Sequence, residues 1–404
     1  MVASFSAFRK VLTRRIASSL FAALVGIVAP AALFAVGDAG TDTSRLPTPP
    51  AAAITKAADL IKSSFTAVDA AQRDKILAKA QAGLEEFLRD NPTHGDAPLA
   101  ELELGAVHVT AGQAALFDGA RTSTDADRAA AVGRARERFN AAEKLFTTAI
   151  DQLGERMKLK VGDAKDGNQH ATLERQVIKG NHIRAQMCHA GVLEELAATY
   201  APETREARVN YQAAADRYEE IYKNYRTLTA GLTARLRQGL CYRNLGDPRR
   251  ALGLFSDILG QPETIRELHR LRVQAMSLSL ECWNSEQEKL HELAFTEGEG
   301  YLTKLPRNEE LWPEWQAVRF HTAQGYLLAA TTKKKDGNLP ADRAEWLVKA
   351  REHAEKLGEQ SGPYKAAVDA LLNQIRKSEA ADGGGGESRL GLSTRPTSAL
   401  LAAE

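Results

Sequence analysis

Apolar residues recur along this chain at spacings of three and four. Ala135, Phe139, Ala142, Phe146 and Ala149 draw one such stripe, and a stripe with that period lies on one face of a helix. Ala185, Cys188, Val192, Leu196 and Tyr200 draw a second, and Ala214, Tyr218, Ile221 and Tyr225 a third. No stretch shows the strict alternation of a half-buried strand. The pattern predicts helices over 51–66, 70–90, 98–117, 125–153, 170–200, 203–226, 229–245, 248–259, 263–284, 286–304, 309–331, 340–358 and 362–378. From Pro92 onward, each proline falls between these runs or in a first turn, where its missing N–H costs nothing. Between Pro98 and Pro202 there is no proline, and the glycines around Gly154–Gly167 are expected to supply the break.

The first 36 residues have a different pattern. Arg9, Lys10, Arg14 and Arg15 stand without an acid before an uncharged apolar run from Ile16 to Val36. Cations, apolar run and small residues in that order predict a secretory signal peptide. The run also approaches the ~20 residues that span a bilayer, so a retained inner-membrane anchor is the alternative. Residues 37–50, with Gly37, Gly40, Pro47, Pro49 and Pro50, read as a linker. Residues 51–378 form the helical domain. The segment 379–404, with Gly383–Gly386, reads as a disordered tail.

Charge acquires meaning only after this division. The chain has 404 residues, 53 Lys+Arg and 52 Asp+Glu, for a net charge of +1. Loss of residues 1–36 deletes four cations and no acid, leaving −3. That balance argues against a nucleic-acid partner, which would call for a basic excess. Within the body, residues 226–280 carry a net +5 and residues 281–310 a net −5. These are either a basic groove wall or two solvated faces that attract each other.

A repeat emerges at Ala234–Pro262. Gly239, Tyr242, Gly246, Ala251 and Phe255 fall at the spacings of the tetratricopeptide consensus, and the chain resembles that family here. Small residues let two helices approach, Tyr242 and Phe255 fill the space between them, and Gly246 can end the first helix as a left-handed cap. Fragments of the pattern recur at Ala80, Ala142, Ala214, Ala294 and Ala350. Of the anchor spacings, only the 37 residues from Ala214 to Ala251 come near the ~34-residue family period. The resemblance implies an all-α fold: a right-handed superhelix, or α-solenoid, of about six stacked antiparallel helical hairpins. It also implies a concave surface that binds a peptide or partner protein, with Thr233, Leu236, Leu240, Arg243 and Asn244 facing the groove. Leu236 and Leu240 stand where carboxylate-clamping members of the family carry polar groups, so an apolar or mixed surface is expected. Alternatively, these leucines pack against the next hairpin.

Candidate chemistry is sparse. His291-Glu292 begins like a zinc-protease helix, but Phe295 replaces the second histidine. His182 and His189 share a helix face beside Cys188 and lack a third ligand. No glycine-rich phosphate loop or nucleophile elbow appears. Cys188, Cys241 and Cys282 read as small packing residues, although export would permit one pair to oxidise. No catalytic, cofactor-binding or metal residue is assigned. The expectation is an exported, non-enzymatic scaffold in the periplasm or envelope, meeting a membrane only if residues 16–36 are retained. The alternatives are a self-associating structural envelope protein or a cell-wall enzyme on a helical superstructure.

Overall fold

The computed structural model describes residues 51–159, 169–262, 265, 268–360 and 362–383. The predicted signal segment, the linker 37–50 and residues 384–404 of the predicted tail lie outside them. Among the described residues the fold is all-α, with thirteen α-helices and no strand. They are α1 (Ala52–Ser64), α2 (Ala70–Asp90), α3 (Ala97–Gly119), α4 (Asp125–Leu159), α5 (Gln169–Ala198), α6 (Arg205–Tyr225) and α7 (Thr229–Asn244). There follow α8 (Pro248–Leu259), α9 (His269–Trp283), α10 (His291–Leu302), α11 (Pro313–Thr331), α12 (Arg343–Gly358) and α13 (Lys365–Gly383). None of the described helices is long and apolar enough to cross a membrane.

The chain divides into two compact units at Leu254/Phe255, within α8. In the first, α1 to α7 each pack on their neighbours in sequence, and α3 also touches α5, as α5 touches α7. Contact order gives the directions. Gly105, Gly112 and Gly119 of α3 approach Phe146, Phe139 and Ala131 of α4 in turn, so these helices run antiparallel. Glu103 and Gln113 of α3 meet Arg184 and Glu195 of α5, so those run parallel. That is the geometry of stacked hairpins. The second unit repeats it. Gly298 and Gly325 lie against Thr322 and Phe295, which makes α10 and α11 antiparallel. Arg270 and Asn284 meet Glu314 and His321, which makes α9 and the start of α11 parallel.

The three stripes lie where their period places them. Ala135, Phe139, Ala142, Phe146 and Ala149 are all fully buried. The six recurrent alanines, Ala80, Ala142, Ala214, Ala251, Ala294 and Ala350, are buried as well. At the end of α7, Gly246 has φ +82°. Its N–H donates to Arg243 O, and the Asp247 N–H donates to Tyr242 O at 2.9 Å. This pair of bonds satisfies the last carbonyls of the helix.

Several boundaries differ from the sequence reading: α9 begins at His269 rather than 263 and α12 at Arg343 rather than 340, and four others differ for a local reason. Helix α4 runs through Gly154 to Leu159. One mid-helix glycine costs only about 1 kcal/mol, and Gly154 faces the His182 ring. Helix α10 begins at His291, because Lys289 adopts φ 51° and breaks the preceding turn. Helix α11 begins at Pro313, since the residue before proline must be extended, and Trp312 has ψ 134°. Helix α13 continues to Gly383, into the segment read as tail. Arg343 donates to Ser378 O at 2.7 Å and Arg351 pairs with Glu379, so the helix is held where the sequence reading ended it.

Candidate functional site

The helices fall into two kinds. Among even-numbered helices, α2, α4, α6 and α12 bury one stripe and leave the other face to water. The odd helices α3, α7, α9 and α11 are buried nearly all round: every residue from Leu102 to Thr110 in α3, and from Leu236 to Tyr242 in α7. A helix enclosed on all faces loses its polar stripe, so its polar residues go inside. Buried Glu103, His108, His189, Glu195, Arg237, Gln238, Arg272, Gln316, Arg319 and His321 all belong to odd helices.

In the first unit these residues pair along the row α3–α5–α7. Arg184 of α5 meets Glu103 of α3 at 2.6 Å, and Gln113 of α3 donates to Glu195 at 2.9 Å. Glu194 of α5 is held by Arg237 of α7 and accepts from the Cys241 thiol at 3.2 Å, while Arg237 also reaches the Tyr218 hydroxyl at 3.4 Å. Burial pushes the Glu194 carboxyl up, and Arg237 pulls it only partly back. Burial is the strongest single influence on Arg237 and works against its charge, but Glu194, Tyr218 and Cys241 together outweigh it and raise the guanidinium. Burial drives the Cys241 and Tyr218 protons into tighter binding, and Glu194 adds to it. Burial also raises Cys188, to about 11.

Several polar atoms in this row have no hydrogen-bond partner: Glu101 Oε2, Glu103 Oε2, Arg184 Nε and Nη2, and Gln186 Oε1. An unmatched buried group costs about 1–3 kcal/mol. Glu101, Arg184 and Gln186 are half-buried as residues, but these particular atoms are closed to water.

The five predicted groove positions divide. Thr233, Arg243 and Asn244 are half-buried and offer surface. Leu236 and Leu240 are 1% and 8% exposed and pack in the interior. The reason is the enclosure of α7 on every side, which leaves no apolar groove wall at those two positions. Of the repeat residues, Gly239, Tyr242, Ala251 and Phe255 are buried. Phe295, in place of a zinc ligand, stacks on Tyr326 with ring centres 4.1 Å apart. His189 stands 4.0 Å from Glu143, and burial lowers its pKa to about 4. Among the described residues no three His, Cys, Asp or Glu side chains are grouped to hold a metal. The three cysteines are free and buried. Between the oppositely charged stretches, His269 meets Glu309 at 2.7 Å.

Sequence reasoning missed Glu194, Glu195, Arg184 and Glu103. Their only advance signal is that apolar residues lie on every face of α3 rather than in one stripe, and that α5 carries others, such as Ile183, Met187 and Leu193, beside its stripe, as an enclosed helix should.

No family model matches the chain, and no curated protein matches it. Among solved structures, a tetratricopeptide repeat protein from Parabacteroides merdae is 15% identical, with 80% of this chain and 99% of that chain covered and a TM-score of 0.30. The TPR domain of P58(IPK) is 14% identical, with 82% and 99% covered and a TM-score of 0.28. At that level of superposition neither decides the fold. The class is defined by the helices themselves: an all-α stack of antiparallel hairpins.

Proposed function

We propose that the chain is an exported, non-enzymatic interaction scaffold that holds a peptide or partner protein against α5 and α7. The observation that carries this reading is the polar row on the enclosed helices. Arg184, Glu194 and Arg237 are pinned by buried ion pairs, and the residues around them, Gln186 among them, are half-buried and polar at the surface of α5 and α7. A polypeptide main chain offers one donor and one acceptor per residue, and such a polar surface can pair with both. Thr233, Arg243 and Asn244 extend the same polar surface along α7. The cationic, apolar, small-residue order of residues 1–36 supports export, with the envelope as the working compartment.

The test compares capture from an envelope extract by the wild-type chain and by a Thr233→Glu/Asn244→Glu variant. Both positions are half-buried and polar, so the variant folds. Partners retained by the wild type and lost by the variant support the scaffold reading. The same partners in the same amounts on both would refute it.

A further inference from the structure

The second unit holds a cleft whose chemistry differs from that of the polar row. It opens where α10 begins and α11 ends. Lys289, Lys333, Lys334 and Lys335 line it, against only two carboxylates, Glu292 and Asp336. The three consecutive lysines sit on a tight turn closed by the Gly337 N–H donating to Lys334 O, with Gly337 at φ +82°. Asp336 is engaged within that turn, accepting from the Asn338 N–H at 2.9 Å. Leu290, Leu293, Ala329 and Pro340 supply an apolar wall, and the two leucines are 42% and 40% exposed.

Two independent features favour an anion. The first is the start of α10, a 12-residue helix whose N-cap, Leu290, has no side chain able to cap it. Its first-turn N–H groups have no partner inside the helix, and such a terminus attracts negative charge. The second is His291. It lines the cleft, is only 8% exposed, and its Nδ1 has no hydrogen-bond partner. The opposing negative end of α11 is partly covered, because Arg343 donates to Ala330 O at 2.6 Å.

We propose that this cleft binds an amphiphilic oxyanion: a phosphate-class head on the lysines, His291 and the α10 terminus, and a short apolar body on Leu290 and Leu293. The head requires the cations. The body explains why two large leucines stand exposed beside them. A membrane phospholipid headgroup and a soluble phosphate ester share this chemistry. The site is independent of the peptide surface on α5 and α7, so either can fail alone.

Calorimetric titration of the purified chain with inorganic phosphate and with monomeric n-octyl phosphate tests it, at matched ionic strength. The expected result is saturable binding, with octyl phosphate at least about tenfold tighter than inorganic phosphate, from burial of its methylenes. A Lys333→Glu/Lys335→Glu variant, changed only at exposed positions, should weaken binding about tenfold or more, as loss of a complementary field does. Equal affinity for the two phosphates, or unchanged binding in the variant, would overturn the proposal. Flotation with phosphatidic-acid vesicles identifies a lipid as the source. Octyl phosphate binding without flotation identifies a soluble ester.

Discussion

Helices α3 and α4 pack through a register of glycine against phenylalanine, and that register can be tested by one methyl group. Gly105, Gly112 and Gly119 are spaced by seven along α3. A Cβ at Gly105 would lie 2.3 Å from Phe146 Cε1, and one at Gly112 would lie 2.5 Å from Phe139 Cε1. Ordinary carbon contacts are about 3.5–4 Å, and both phenylalanines are fully buried. The rings therefore cannot retreat without moving the helix. Replacing glycine by alanine gains about 1 kcal/mol of helix propensity. Forcing a methyl into a filled core costs about 1–3 kcal/mol, and a 2.3 Å approach belongs at or beyond the upper end. We expect Gly105→Ala to destabilise by about 2 kcal/mol, which lowers the urea midpoint by about 0.7–1 M for a slope of about 2–3 kcal/mol/M. Gly83→Ala is the control. It is also mid-helix, but a Cβ there meets nothing within 4 Å, so it should stabilise by about 1 kcal/mol. Urea unfolding followed by circular dichroism reads both. If the two variants shift the midpoint in the same direction, the close-packed register is wrong.

The remaining predictions concern the buried charges. Arg237→Met should cost about 3–5 kcal/mol, because it leaves Glu194 buried and uncompensated, whereas Glu194→Gln/Arg237→Met should cost less than Arg237→Met alone. A double-mutant cycle measured by denaturant unfolding checks this, and strict additivity would contradict it. His189 sets an acid limit. Its folded pKa of about 4 lies below its unfolded value, so the unfolded chain binds the extra proton. Stability is therefore full above about pH 6.5 and falls between there and about pH 4, by up to about 3 kcal/mol. His189→Gln should flatten that slope in thermal melts across the window. An unchanged slope would assign the acid loss to other groups.

Each described helix has a counterpart in the sequence reading, but the apolar stripe alone marks only some of them. Amphipathic helices announce themselves because half of each faces water, and α4 and α6 were readable for that reason. The recurrent alanines were also readable, since a small residue at a crossing must recur wherever hairpins stack. The enclosed helices were harder. Packing on all sides removes the polar stripe, so nothing in the local period of α5 or α7 separates Leu236, which is interior, from Asn244, which offers surface. The partner of a buried charge is set by neighbours far along the chain: Glu103 and Arg184 are 81 residues apart. The start of α10 depended on a single left-handed residue, Lys289, a conformation that lysine composition does not signal.

The central claim is that the polar edge of α5 and α7 receives a polypeptide, and site-specific photo-crosslinking in living cells addresses it directly. A benzoylphenylalanine placed at Gln186, Thr233 or Asn244 should form covalent adducts with a partner protein. The same probe at Lys144 or Lys223, on the exposed faces of α4 and α6, should form none. Adducts of equal yield from both sets, or none from the α5 and α7 positions, would contradict the account.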